Sequence, residues 1–195
     1  MNKAFGSILI LAAMTAILVA APALAEEGEH AYIGSSKCKK CHLKQYKSWE
    51  QTAMATAFDA LKPGERAEAK TAAGLDPEMD YTANADCVGC HVTGYGKAGG
   101  FVDIGSTPEL VGVGCESCHG PGGTYTQDHL MSLKNKEYKK ADVVAAGLVA
   151  EVSAEQCVVC HNENATGAEP GYVFDFEANK DTGTHEHIPL KYSHE

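Results

Sequence analysis

Two cysteines separated by two residues and followed directly by a histidine recur four times in this 195-residue chain. Thiols at this spacing can form thioether bonds to both vinyl groups of one haem, while the adjacent imidazole ligates the iron. The motifs contain all eight cysteines, so no thiol is left for a disulfide. The sequence therefore predicts four covalently attached haem c groups. The attachment cysteines are Cys38, Cys41, Cys87, Cys90, Cys115, Cys118, Cys157 and Cys160, and the proximal iron ligands are His42, His91, His119 and His161.

Paired cysteines at this spacing also occur in structural zinc sites and in redox-active disulfides. Neither chemistry requires a histidine directly after the second cysteine of every pair, so the four histidines favour haem. Glycines flank the third motif at Gly112, Gly114, Gly120 and Gly122. We expect them to let the backbone bend closely around a flat macrocycle.

Residues 1–25 have the composition of a secretory signal peptide. Lys3 precedes an apolar run, and the Ala-Leu-Ala sequence at 23–25 is typical of a cleavage site. We expect cleavage before Glu26, which leaves 26–195 as one tetrahaem domain in the periplasm or outside the cell. An uncleaved anchor is the alternative, but the apolar run is short for a bilayer span. No second apolar run of spanning length follows, so we expect no transmembrane span after cleavage.

The predicted fold is mainly α-helical with extensive loops, a multihaem cytochrome c fold whose core is formed by the four haems. Apolar residues at three- and four-residue steps predict a helix over residues 43–61, and further helices are expected over 67–73 and 126–150. Ser153 and Gln156 form a predicted capping box at the helix of the fourth motif. The glycine-rich stretch 91–114 indicates a loop with at most a small β-hairpin.

Each haem iron needs a second axial ligand or stays open. His129, ten residues beyond His119, is favoured as a distal ligand. We place His185 and His187 on opposite sides of an extended tail, so that one of them binds, with His187 the weaker candidate. The remaining histidines are more typical of solvated terminal positions, although either could be recruited to an iron. They are His30 and His194.

Landmarks outside the motifs give the chain a resemblance to the tetrahaem cytochrome c-554 family of nitrifying bacteria, in the same order over most of the chain after residue 25. They are Ser48-Trp49, Leu61-Lys-Pro63, Leu75-Asp-Pro77, Asp80-Tyr-Thr82, Asp86 to Gly96, Gly112 to Gly122, Asp128-His129 and His185-Glu-His187. The resemblance implies an electron carrier whose haems pack in close pairs, three with two histidine ligands and one open. In that pattern the distal histidines match His129 and His185, and the open haem is the one at His91.

The family's third distal histidine is replaced in this sequence by Met54. As a thioether ligand, Met54 would give a His/Met haem of raised potential. As a packing residue it would only fill space beside a porphyrin, leaving a second open iron or one that recruits a spare histidine. The chain departs from the family in two further respects. Its loop after the fourth motif is shorter, and it is acidic where the known type is basic and accepts electrons from hydroxylamine oxidoreductase.

The formal net charge is −10, and haem propionates would add to it. This charge argues against nucleic acid and anionic lipid as partners, and it favours a redox protein donor and acceptor with basic docking faces. The lysines of 134–140 are an exception. They form either a solvated helix face or a docking patch for an acidic partner.

Three functions are consistent with these features. The first is a carrier that passes single electrons between redox proteins. The second is an enzyme that reduces a small ligand such as nitric oxide at an open iron on His91. The third is self-association into a haem filament in which a tail histidine ligates a neighbour's iron. Because no acid/base pair, nucleophile triad or phosphate loop stands out, we favour the carrier over an enzyme.

Replacement of Met54 by alanine tests its role as a ligand. If the Met54 sulfur binds iron, the oxidised protein has a methionine-to-iron charge-transfer band near the red end of the visible spectrum, and Met54→Ala loses it. An oxidised spectrum that is the same in both proteins contradicts ligation by Met54.

Overall fold

The computed structural model describes residues 31–168 and 171–190. The predicted signal peptide, His30 and His194 lie outside the described residues. Short helices joined by turns make up this part of the chain, which confirms the predicted mainly helical, loop-rich class. The α-helices are α1 Ser35–Cys38, α2 Leu43–Trp49, α3 Ala67–Ala72, α4 Ala85–Val88, α5 Cys115–His119, α6 Gly122–Tyr125, α7 Lys140–Ala145, α8 Ala154–Val158 and α9 Phe176–Asn179, with 3₁₀ turns at Ala57–Leu61 and Pro108–Leu110.

Each haem motif begins in a one-turn helix, namely α1, α4, α5 and α8. Two of these turns have side-chain caps. Asn84 Oδ1 accepts a hydrogen bond from Asp86 N at 2.9 Å at the start of α4. At α8, Ser153 and Gln156 form the predicted capping box, which is thereby confirmed. Caps satisfy amide groups that a short helix cannot pair internally, so they fix where the helices of the second and fourth motifs begin.

The predicted helix over residues 43–61 is wrong beyond Trp49. The Thr52 hydroxyl donates to the Trp49 carbonyl at 2.8 Å and accepts from Ala55 N at 3.4 Å, and these local bonds replace helical ones. The Met54 carbonyl then accepts from Val113 N at 2.9 Å. A long-range contact beside the third motif therefore ends the helix, and the chain resumes as the 3₁₀ turn Ala57–Leu61.

The predicted helix over 126–150 is also wrong. Within that range only α7 is helical, since α6 ends at Tyr125, and residues 126–139 form turns and bends. The Asn135 side chain donates to the His129 carbonyl at 2.7 Å, and the Ser132 hydroxyl donates to the Asp128 carbonyl at 2.9 Å. Polar side chains that bond to nearby backbone in this way compete with helix formation.

The predicted helix over 67–73 is confirmed as α3, which is followed by Gly74 in the left-handed region at φ 72°.

In the stretch 91–114, where at most a small hairpin is predicted, the β-structure among the described residues is an isolated antiparallel bridge between Val92 and Val111. Among the described residues, no helix has the length and apolar character needed to cross a bilayer.

A small apolar core surrounds the second motif. It packs α4 against the 3₁₀ turn Ala57–Leu61 and against residues on both sides of the Val92–Val111 bridge. The aromatic rings of Phe58 and Phe101 lie 6.1 Å apart within it. The buried members are Phe58, Leu61, Tyr81, Val88, Val92, Phe101 and Leu110.

Candidate haem-binding centre

The third motif contains a buried carboxylate, that of Glu116, which is 2% exposed. Its carboxylate accepts hydrogen bonds from Ile33 N at 3.0 and 3.1 Å, from Gly34 N at 2.7 Å and from Gly122 N at 2.6 Å. A buried carboxylate is costly unless such donors compensate it. Glu116 therefore ties the segment that leads into α1, and so into the first motif, to the third motif.

Two hydroxyl groups continue this network on either side of α5. The Ser35 hydroxyl accepts from Cys115 N at 3.1 Å. The Thr93 hydroxyl accepts from Gly114 N at 2.9 Å and donates to the Gly112 carbonyl at 2.8 Å. Because Ser35 begins α1 and Thr93 follows the second motif by two residues, parts of three motifs are bonded together here.

The glycines of the third motif are required by contacts between protein segments. A Cβ at Gly112 would lie 2.6 Å from the Ala55 carbonyl oxygen, and this residue has φ 82°. A Cβ at Gly120 would lie 2.6 Å from the Gly147 carbonyl oxygen. A Cβ at Gly114 would overlap the Ser35 hydroxyl. These glycines therefore allow other segments of the chain to lie against the third motif. The close approach to a macrocycle stays a prediction.

Two proximal histidines are oriented by backbone carbonyls. His91 Nδ1 lies 2.6 Å from the Ala57 carbonyl oxygen, and His119 Nδ1 lies 2.9 Å from that of Val149. A carbonyl can only accept, so in each ring Nδ1 carries the proton and Nε2 keeps its lone pair for a metal. This arrangement is typical of histidines that ligate metals.

The fourth motif has a different environment. The His161 ring stacks on Phe174 with centroids 4.9 Å apart and planes inclined by 29°. A cavity of about 350 Å³ adjoins His161 and is lined also by Tyr172 and residues 165–168. An aromatic wall and an open space beside the imidazole that is predicted to ligate iron are compatible with a flat apolar macrocycle.

The thiols of different motifs lie close together. Cys38 and Cys115 share a hydrogen bond, which lowers the pKa of Cys115 to about 6 and raises that of Cys38. Burial and then the neighbouring Cys157 thiol raise the pKa of Cys118 to about 11.

Burial and then the Cys90 thiol raise the pKa of Cys160 to about 12. These electrostatic interactions link the first motif to the third, the third to the fourth and the fourth to the second. In agreement, α5 packs against both α1 and α8.

The tail brings His185 to the third motif. The His185 ring lies 6.2 Å from the His119 ring, with planes inclined by 28°. Burial lowers the pKa of His42, and the nearby His119 and His185 lower it further, so three imidazoles of this region are neighbours. Neutral imidazole is the form that binds metals.

Helix α2 holds this tail in place. Gln45 Nε2 donates to the Ile188 carbonyl at 3.0 Å, and Glu186 N donates to the Ser48 hydroxyl at 2.8 Å. Because residues three apart lie on one face of a helix, both tethers reach the same stretch of tail.

The expectation that His185 and His187 lie on opposite sides is wrong. Their rings are 5.6 Å apart, since residues two apart in an extended chain point the same way. His187 Nε2 lies 3.4 Å from Asp181 Oδ1, and its side chain is 67% exposed. Of the two, only His185 stacks on a proximal histidine among the described ring contacts.

For His129 and Met54, the other predicted distal ligands, the described hydrogen bonds involve the backbone carbonyl and not the side chain. His129 lies exposed in a turn, and its carbonyl accepts from the Asn135 side chain. Met54 is half-buried, and its described hydrogen bonds involve its carbonyl, which accepts from Val113 N and from Ala57 N at 3.3 Å. Ligation of iron by either residue stays a prediction.

Sequence reasoning missed Glu116, Ser35 and Thr93, which organise the third motif. The one available signal is the negative charge of Glu116. In the other three motifs the two residues between the cysteines include no acidic side chain. A carboxylate inside an attachment motif needs a partner. The hydroxyls of Ser35 and Thr93 carry no comparable signal.

Removal of the Glu116 carboxylate should destabilise the fold. Glu116→Ala leaves the amides of Ile33, Gly34 and Gly122 without their acceptor, and we expect a loss of roughly 3 kcal/mol or more in the free energy of unfolding. Glu116→Gln keeps one acceptor oxygen and should lose less. Urea unfolding followed by circular dichroism measures the change.

The matched control is Glu163→Ala, which removes an exposed carboxylate beside the fourth motif and should change the stability by less than about 0.5 kcal/mol. If Glu116→Ala unfolds at the same urea concentration as the unmodified protein, the carboxylate does not hold these segments together.

Comparison with known proteins supports the resemblance seen in the sequence. The profile of the family described as cytochrome c554 and c-prime matches residues 37–120. Cytochrome c-554 of Nitrosomonas europaea is 44% identical over 133 residues, which are 66% of this chain and 56% of that protein, so the match spans little more than half of the relative's length. A solved structure described as the reduced state of cytochrome c554 from Nitrosomonas europaea superposes with a TM-score of 0.65 at 37% identity, covering 83% of this chain and 88% of that one. With its motifs, its fold and these matches in agreement, the chain belongs to the cytochrome c554 family.

Proposed function

We propose that this chain is a tetrahaem c-type cytochrome that carries single electrons between redox partner proteins outside the cytoplasm. Each of the four motifs supplies two thiols and an imidazole for one haem. Membership of the cytochrome c554 family supports the haem chemistry. The signal-like composition of residues 1–25 supports export.

The observation that carries this proposal is the contact between motifs. Helix α5 packs against α1 and α8, and electrostatic interactions between thiols link the first motif to the third, the third to the fourth and the fourth to the second. Haems attached to neighbouring thiols are themselves neighbours, and electron transfer is fastest between centres that nearly touch. An electron received at the first haem therefore has a short path through the third and fourth haems to the second.

The geometry also favours His119 and His185 as the two residues that would hold the iron of the third haem. Their rings are neighbours, with centres 6.2 Å apart and planes inclined by 28°. The Val149 carbonyl, which holds His119 Nδ1, would fix the orientation of the proximal ring.

Replacement of the two tail histidines tests this assignment. His185→Ala should convert one low-spin iron of the oxidised protein to high spin, because the third haem loses its distal ligand, and it should add one carbon monoxide binding site in the reduced protein. His187→Ala is the matched control and should leave both unchanged, because this side chain is exposed and faces Asp181. Electron paramagnetic resonance counts the spin states.

The assignment fails if His187→Ala, and not His185→Ala, produces the new high-spin iron. The wider proposal fails if the oxidised protein shows no low-spin haem signal at all.

A further inference from the structure

Exposed lysines surround the first motif. Residues 31–49 contain five lysines and no aspartate or glutamate. Two of them stand between Cys38 and Cys41, whereas the corresponding pairs in the other three motifs carry no positive charge. All five are exposed in the structure. They are Lys37, Lys39, Lys40, Lys44 and Lys47.

A second group of lysines reaches the same motif. Residues 134–140 contribute four exposed lysines against one glutamate. Tyr138, in the middle of this segment, is close enough to Cys41 for the thiol to raise the pKa of its hydroxyl, after the larger effect of burial. We call the nine side chains together the lysine face. The members added here are Lys134, Lys136, Lys139 and Lys140.

Most of the charge on this face is not neutralised within the chain. None of the five lysines around the first motif forms an ion pair with another described residue. Lys39 Nζ instead lies 4.6 Å from the centre of the Tyr46 ring. In the second group, Lys134 pairs with Asp128 at 2.5 Å and Lys140 pairs with Glu151 at 3.4 Å. The face can therefore offer several positive charges to a partner.

The concentration of charge is unusual for this sequence. Nine of its 16 Lys and Arg residues lie on the lysine face, although the formal net charge is −10. The surroundings of the fourth motif have the opposite sign, since residues 150–165 contain Glu151, Glu155 and Glu163 and no lysine or arginine. The surface around the first motif is thus the basic end of the molecule, and it meets the acidic residues around the fourth motif at the Lys140–Glu151 ion pair.

We propose that the lysine face is the docking surface for an acidic redox protein, which exchanges electrons with the haem of the first motif. This inference rests on the proposed function, because it requires a haem at that motif. An acidic partner of similar size would contact the basic end while its charge steers the encounter. An extended anionic membrane would also meet the acidic remainder of the molecule, so a protein partner fits the charge distribution better.

The test uses the haem-loaded protein and reduced flavodoxin, a small acidic flavoprotein, as the electron donor in stopped-flow mixing. The double variant Lys44→Glu/Lys47→Glu changes the lysine face on α2 without altering a motif. The control is Lys62→Glu/Lys97→Glu, which makes the same change in net charge at exposed lysines beside the core of the second motif. At low ionic strength we expect the bimolecular rate to fall about tenfold in the first variant and less than about twofold in the control.

Added salt should remove most of the difference between the two variants, because it screens exposed charges. Equal slowing in both variants, or no slowing in either, overturns the proposed docking surface. A membrane is tested with phosphatidylserine vesicles. If the unmodified protein sediments with them and the Lys44→Glu/Lys47→Glu variant does not, the lysine face binds a membrane and the proposal of a protein partner is overturned. Reduction by dithionite provides the separate readout of the proposed function, because a protein without reducible haem fails there whatever its surface charge.

Discussion

The fold depends on one buried negative charge, the carboxylate of Glu116. Burial of a carboxylate is tolerated only where hydrogen-bond donors replace its water. Here the donors are the amides of Ile33 and Gly34, from the segment before the first motif, and of Gly122, just beyond the third. The carboxylate can be satisfied only when these parts of the chain meet. The first and third motifs are therefore held together by protein contacts.

The same constraint accounts for the proposed electron path. The third motif lies between the first and the fourth in the chain of motifs, since α5 packs against both α1 and α8. The tail completes its surroundings with His185, which α2 holds in place. The lysine face surrounds the motif at one end of this chain, and this position is suited to exchange with a partner.

The family could be predicted because its landmarks are short motifs in a fixed order, and α3 and the α8 capping box because each depends on residues close together in the sequence. The helix expected over residues 43–61 could not, because the contact between Met54 and Val113 that ends it is long-range. The prediction that His185 and His187 lie on opposite sides is wrong because residues two apart in an extended chain point the same way, and their spacing in the sequence already indicates this. The role of Glu116 required knowing that its donors lie 82 and 83 residues away.

The proposed electron path requires a covalently attached haem at each of the four motifs. Thioether bonds survive denaturation, so attachment can be counted from the intact mass of the protein purified under denaturing conditions from cells that attach haem c. We expect the polypeptide mass from Glu26 onward plus four haem groups. A mass equal to the bare polypeptide, or to one with fewer than four haems, would rule out the path.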